Sequence, residues 1–101
     1  MERDTVEEVG IDEEGRLYLR PSLSSFDYIY RAAMEVNWDK ANMRLFGGKP
    51  RQWSYLDWFR QIIGAARDEY GVDLGLTRST IWSNISEELK AEIQAAASWK
   101  K

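Results

Sequence analysis

Seven side chains in the middle of the chain carry the ring and charge density from which a site could be built: Trp38, Arg44, Phe46, Arg51, Trp53, Trp58 and Arg60. The densest run, RQWSYLDWFRQ at residues 51–61, sets two Trp, one Tyr and one Phe between two arginines. An arginine beside an exposed indole can stack on a base, grip a phosphate or anchor a protein interface. Arg44, Arg51, Trp53, Trp58 and Arg60 are therefore the candidate binding residues. The competing reading makes Trp38 and Trp53 core residues and lets the arginines cover an apolar rim with their stems. Trp58 lies off the apolar stripe of its helix, so partial exposure is expected there.

Other chemistry is restricted. The 101 residues contain no His and no Cys. Serine-triad hydrolysis, thiol chemistry, most zinc and iron sites and imidazole acid–base catalysis all depend on those two residue types. No P-loop, GxGxxG, HExxH or EF-hand loop is present. The acids of DEEG (residues 12–15) are adjacent, whereas a calcium loop needs oxygens spaced around a turn. Asp27, Glu35, Asp39 and Asp57 are the central carboxylates. Asp27 and Asp57 already have a role near helix starts. No catalytic residue, metal ligand or cofactor is expected, and the balance leans away from an enzyme.

The net charge of -3 hides an asymmetry. Residues 1–15 sum to -6 and residues 40–67 to +5. Either the two regions meet and cancel, or the basic, aromatic middle faces an anionic partner. Nucleic acid is a poor candidate, because a pI near 5.0 supplies too little positive charge.

The elements that must position these residues follow from periodicity. EEVGIDEEGRLYLRP reads as a hairpin, with Val9 and Ile11 alternating on one arm and Leu17 and Leu19 on the other. LSSFDYIYRAAMEV then takes a helical period through Phe26, Ile29, Tyr30 and Ala33, with Ser24 as N-cap and Leu23 and Tyr28 as a hydrophobic staple. VNWDKANMRLFGG reads as a second hairpin that places Arg44 and Phe46 opposite Met43 and Leu45. Ser54 caps a long helix of about 54–70, Asp57 completes a capping box, Trp53 and Trp58 occupy the staple positions, and Gly71 ends it. Gly64 costs about 1 kcal/mol against Ala in mid-helix, which predicts a segment passing close by. VDLGLT and STIWS read as short strands, and a last helix of about 85–98 starts at Asn84. The expected fold is a single α+β domain over 1–101: a small antiparallel sheet of about five short strands on three helices, the long one central.

YIYRAAMEVNWD, WSYLDWFRQII and DEYGVDL, in this order and spacing, resemble the small proteins carried on mobile integron gene cassettes. The resemblance covers about residues 15–90 and rests on aromatic and capping positions. It implies a small α+β bacterial accessory protein of a group without assigned activity, some of whose members form oligomers or carry clefts. It assigns no functional residue. The expected function is a non-enzymatic binding or protein-interaction module, with a second copy of the chain as one partner. The alternatives are a small-molecule binder or enzyme with an aromatic/Arg-lined pocket, and a weak binder of nucleic acid or another anion through residues 40–67. No apolar run approaches the ~18 residues of a membrane span. The acidic start, MERDTVEEVG, does not read as a signal peptide, and the lack of Cys suits the cytoplasm.

Overall fold

A computed structural model describes residues 2–31, 35–48 and 53–97. The element order is β1 (Glu2–Ile11), β2 (Leu17–Pro21), a 3-10 turn (Ile29–Arg31), β3 (Asn37–Asp39), β4 (Arg44–Phe46), α1 (Tyr55–Tyr70), β5 (Val72–Gly75), β6 (Ile81–Ser83) and α2 (Glu87–Ala96). The strands make one six-stranded sheet in the order β3-β4-β2-β1-β5, with β6 also on β1.

The expected antiparallel sheet is in fact mixed. Strands β1 to β4 are joined antiparallel, but β5 and β6 both run parallel to β1. Glu2 is opposite Val72, whereas Glu8 is opposite Ile81. The segment after α1 therefore follows β1, loops out over 76–80, and rejoins it. At the break Thr80 donates its Oγ1 proton to the Val6 carbonyl at 2.8 Å. The β1–β2 ladder also shifts register between Val6 and Glu8. A bulge changes which face successive residues take. Asp4 and Val6 are accordingly buried on one parity and Val9 on the other.

Strand β1 is longer than its alternating apolar residues suggest. Residues 2–8 are mostly acidic, and pairing with β5 makes them a strand. In the turn after β1, Asp12 accepts from the backbone N–H of Glu14 and Arg16 at 2.9 Å each and from Arg16 Nε at 3.0 Å. Burial pushes its carboxyl up, but these bonds and the Arg16 charge outweigh that and hold it below the usual aspartate value. The carboxylate serves its own turn.

Helix α1 follows the sequence closely. Ser54 Oγ accepts from Asp57 N and Asp57 Oδ2 accepts from Ser54 N, both at 3.2 Å, which is a complete capping box. Gly71 takes a left-handed φ of 67° and ends the helix. Phe59, Ile62, Ile63 and Ala66 face the core with Val9, Leu17, Leu19, Leu45 and Leu74. Tyr70, the last residue of the helix, is exposed.

Three expectations fail here. The expected α-helix from Ser24 is not found: of its described residues only Ile29–Arg31 is helical, as a 3-10 turn, so the described residues hold two α-helices in place of three. Asp4 is the cause. It is 5% exposed, and its Oδ2 accepts from Leu23 N at 3.1 Å and Ser24 N at 2.8 Å, which fixes these residues as a loop. Leu23 (88% exposed) and Tyr28 (60%) consequently form no staple. Helix α2 is capped by Ser86, whose Oγ accepts from Leu89 N at 3.1 Å, while Asn84 takes a positive φ of 58° just before it. Finally, beyond the helix's own neighbouring backbone, no described residue lies within 4 Å of the place a Gly64 Cβ would occupy. Gly64→Ala should therefore stabilise the fold by about 0.5–1 kcal/mol through a less flexible unfolded chain. Thermal unfolding measured by circular dichroism should move up by a few degrees.

Candidate functional site

The aromatic run divides at Ser54. Trp53, just before the cap, is 43% exposed, as a binding residue must be, whereas Trp58 is 5% exposed, against the partial exposure expected of it. Their rings lie 4.9 Å apart and tilted by 54°. The reason lies in another segment. Trp58 rests on the backbone of Gly47 and Gly48, where added Cβ atoms would stand 2.5 Å from its Cε3 and 3.1 Å from its Cζ2. Those glycines provide a seat for an indole as well as a change of direction. Trp58 Nε1 and Trp38 Nε1 are buried with no hydrogen-bond partner among the described residues.

Arg60, one turn into α1, is exposed and lies beside Trp53, Asp57 and Gln61 around a shallow depression of about 360 Å³. The fold thus brings Trp53, Trp58 and Arg60 together. Arg44 is not with them. It lies on the sheet face away from the core, its guanidinium 3.9 Å over the Tyr18 ring and 3.8 Å from Asp39. Arg51 lies outside the described residues.

The outward sheet face carries a polar cluster that the site search in the sequence missed. Register places Glu8 opposite Arg20, and Gly10 opposite Tyr18 and Ser83. A Cβ on Gly10 would collide with the Tyr18 phenol, so glycine there lets the ring cross β1. Tyr18 OH then donates to Glu8 Oε2 at 2.8 Å, Ser83 Oγ donates to the same oxygen, and Arg20 Nε donates to Oε1 at 3.4 Å. The alternation of Glu8, Gly10, Tyr18 and Arg20 is visible in the sequence. Ser83 joins only through the parallel pairing.

Burial raises the Glu8 pKa, but the hydrogen bonds from Ser83, Tyr18 and Arg20 and the Arg20 charge together hold it below the ordinary 4.5. Burial and the bond to Glu8 push the Tyr18 phenol up. A general base works best with a pKa near the operating pH, and both groups move away from it. The cluster cross-links strands. A folded-state pKa below the unfolded one gives stability that is complete above the unfolded value and lost as pH falls through the folded one. Unfolding free energy should therefore decline on acidification below about pH 4.5, and Glu8→Gln should flatten that limb in urea titrations across pH 3–6.

A larger open groove of about 720 Å³ lies where the two helices begin. Ile11, Tyr55, Leu56, Ile85 and Leu89 give it apolar walls. Ser54, Asn84, Ser86 and Glu92 are its polar lining. Tyr55 OH is engaged with the Gly15 carbonyl at 2.9 Å, and Asn84 Nδ2 with the Ile11 carbonyl at 3.3 Å. Sequence reading overlooked this groove, because its walls come from three separate segments.

Residues 4–80 match the family model described as Integron Cassette Protein Hfx_Cass5. The chain belongs to the Hfx_Cass5 integron cassette protein family. It is similar to a solved structure described as "Structure from the mobile metagenome of North West Arm Sewage Outfall: Integron Cassette Protein Hfx_Cass5", at 44% identity over 95% of this chain and 96% of that one, with a TM-score of 0.49. No curated protein matches. The resemblance drawn from the aromatic and capping pattern thus holds at the level of the family.

The part of this Hfx_Cass5-family chain that matches runs from Asp4 to Thr80 and so contains Arg44, Trp53, Trp58 and Arg60. It ends before β6 and α2. Among the described residues of this family member, no group of three or more Asp or Glu is placed to hold a metal ion. No described helix is long and apolar enough to cross a membrane.

Proposed function

We propose that this Hfx_Cass5-family chain is a non-enzymatic, cytoplasmic protein-interaction module that self-associates, with the start of α1 as its contact surface. The observation that carries the reading is the pairing of an exposed Trp53, backed by the buried Trp58, with an exposed Arg60. Trp and Arg are the residue types most enriched among interface anchors. A ring held against a fixed neighbour loses little further freedom on binding. The commonest oligomer is a twofold dimer, in which one such patch meets its own copy.

Two rival readings have less support. The Glu8 cluster has its carboxylate oxygens engaged and its pKa values displaced from neutrality. A shared cationic face for nucleic acid is weakened because Arg44 pairs with Asp39, and Arg67 with Asp73 at 3.3 Å.

Sedimentation velocity at two protein concentrations tests the proposal. The sedimentation coefficient should rise with concentration for the native chain. It should stay at the monomer value for the exposed-site variant Trp53→Ala/Arg60→Glu. A native chain that is monomeric throughout, or a variant that associates like the native chain, overturns the assignment.

A further inference from the structure

We propose that the groove between the starts of α1 and α2 is a binding site for a small amphiphile with one positive charge, an apolar body ending in a protonated amine. This inference is independent of self-association at Trp53. The groove has the size range of small-ligand sites, which are mostly apolar with a few placed polar groups. Leu56, Ile85 and Leu89 supply walls, and the Tyr55 ring offers a face to a cation or to another ring.

Charge selects the ligand. Among the described lining residues, Glu92 is the one side chain with a formal charge, and none is Lys or Arg. No ion pair to Glu92 is found among the described residues. Glu92 lines the groove together with Ile85 and Leu89, and Glu88 comes one turn earlier on α2. The two helix N-termini beside the groove would by themselves favour an anion. Asp57 in the first turn of α1 and Glu87 and Glu88 in that of α2 oppose this. Asn84 Oδ1 is a further acceptor, since the amide nitrogen is committed to Ile11. The amine would pair with Glu92 while the apolar body lies along Leu56, Ile85 and Leu89.

The test is a ¹⁵N-resolved NMR titration of the full chain with 4-phenylbutylamine, and with 4-phenylbutyrate as the matched anion. The amine should give saturable shifts confined to the amides of Tyr55, Leu56, Ile85, Ser86 and Leu89. The anion should bind at least about fivefold more weakly. Glu92→Gln should weaken the amine by about fivefold, and Glu92→Lys should abolish its saturable shifts. Glu92 is exposed, so both variants keep the fold, which their unperturbed spectra verify. Shifts that do not saturate or lie elsewhere overturn the proposal, as do equal affinities for amine and anion or amine binding unchanged in Glu92→Lys.

Discussion

Gly47→Ala should lower the unfolding free energy by about 2–3 kcal/mol, although it adds a single methyl group. The new Cβ would stand 2.5 Å from Trp58 Cε3, well inside contact distance. An indole is rigid and Trp58 is enclosed by the core, so the ring has no alternative rotamer into which to retreat without displacing its neighbours. Either β4's exit or the first turn of α1 must move. Chemical denaturation should show a lower midpoint with an unchanged slope. Trp58→Leu alone should cost a similar amount by leaving a cavity. The double variant should cost clearly less than the sum, because a smaller side chain makes room for the methyl. Strict additivity would mean that the glycine and the indole are not in contact. Displacement of the α1 start should also reduce the proposed self-association, since the Trp53 ring packs against that of Trp58.

Asp4→Ala has the other large expected effect, a loss of about 3–5 kcal/mol. The Asp4 carboxylate accepts from three backbone donors, Thr5 N at 2.8 Å, Leu23 N at 3.1 Å and Ser24 N at 2.8 Å. Bonds to a charged group contribute about 1.5–3 kcal/mol each, and donors left without a partner in a buried place add a desolvation cost. For a chain of this length that is a large share of the ~5–15 kcal/mol total. Asp4→Asn keeps the shape but must turn an NH₂ toward one set of donors, so it should lose a part of the same energy. Hydrogen exchange checks the mechanism: the Leu23 and Ser24 amides should lose protection at a destabilisation that leaves the α1 amides protected. Unchanged exchange at those two amides would assign the loss to another cause.

These two sites also mark the division between sequence and tertiary structure. What the residues determine locally, they determined well. Ser54, Asp57 and Gly71 fix both ends of α1, because capping bonds and a left-handed stop involve neighbours only. Alternation at Leu17 and Leu19 and at Arg44, Leu45 and Phe46 fixes which face each strand turns inward, because successive side chains must point to opposite sides. Family membership was legible from the aromatic and capping spacing.

What depended on distant partners could not be read. Two parallel pairings on β1 join residues more than sixty positions apart, and no local pattern specifies them. The segment expected to form a helix from Ser24 has only a 3-10 turn at Ile29–Arg31 among its described residues, and its first residues are held by Asp4, twenty positions earlier. Trp58, expected to be partly exposed, is buried because two glycines from the preceding hairpin opened a seat for it. Propensity and caps act over a single turn of chain. Burial is decided by whichever surface arrives from elsewhere, so the tertiary structure alone decided which ring remains at the surface and where a groove opens.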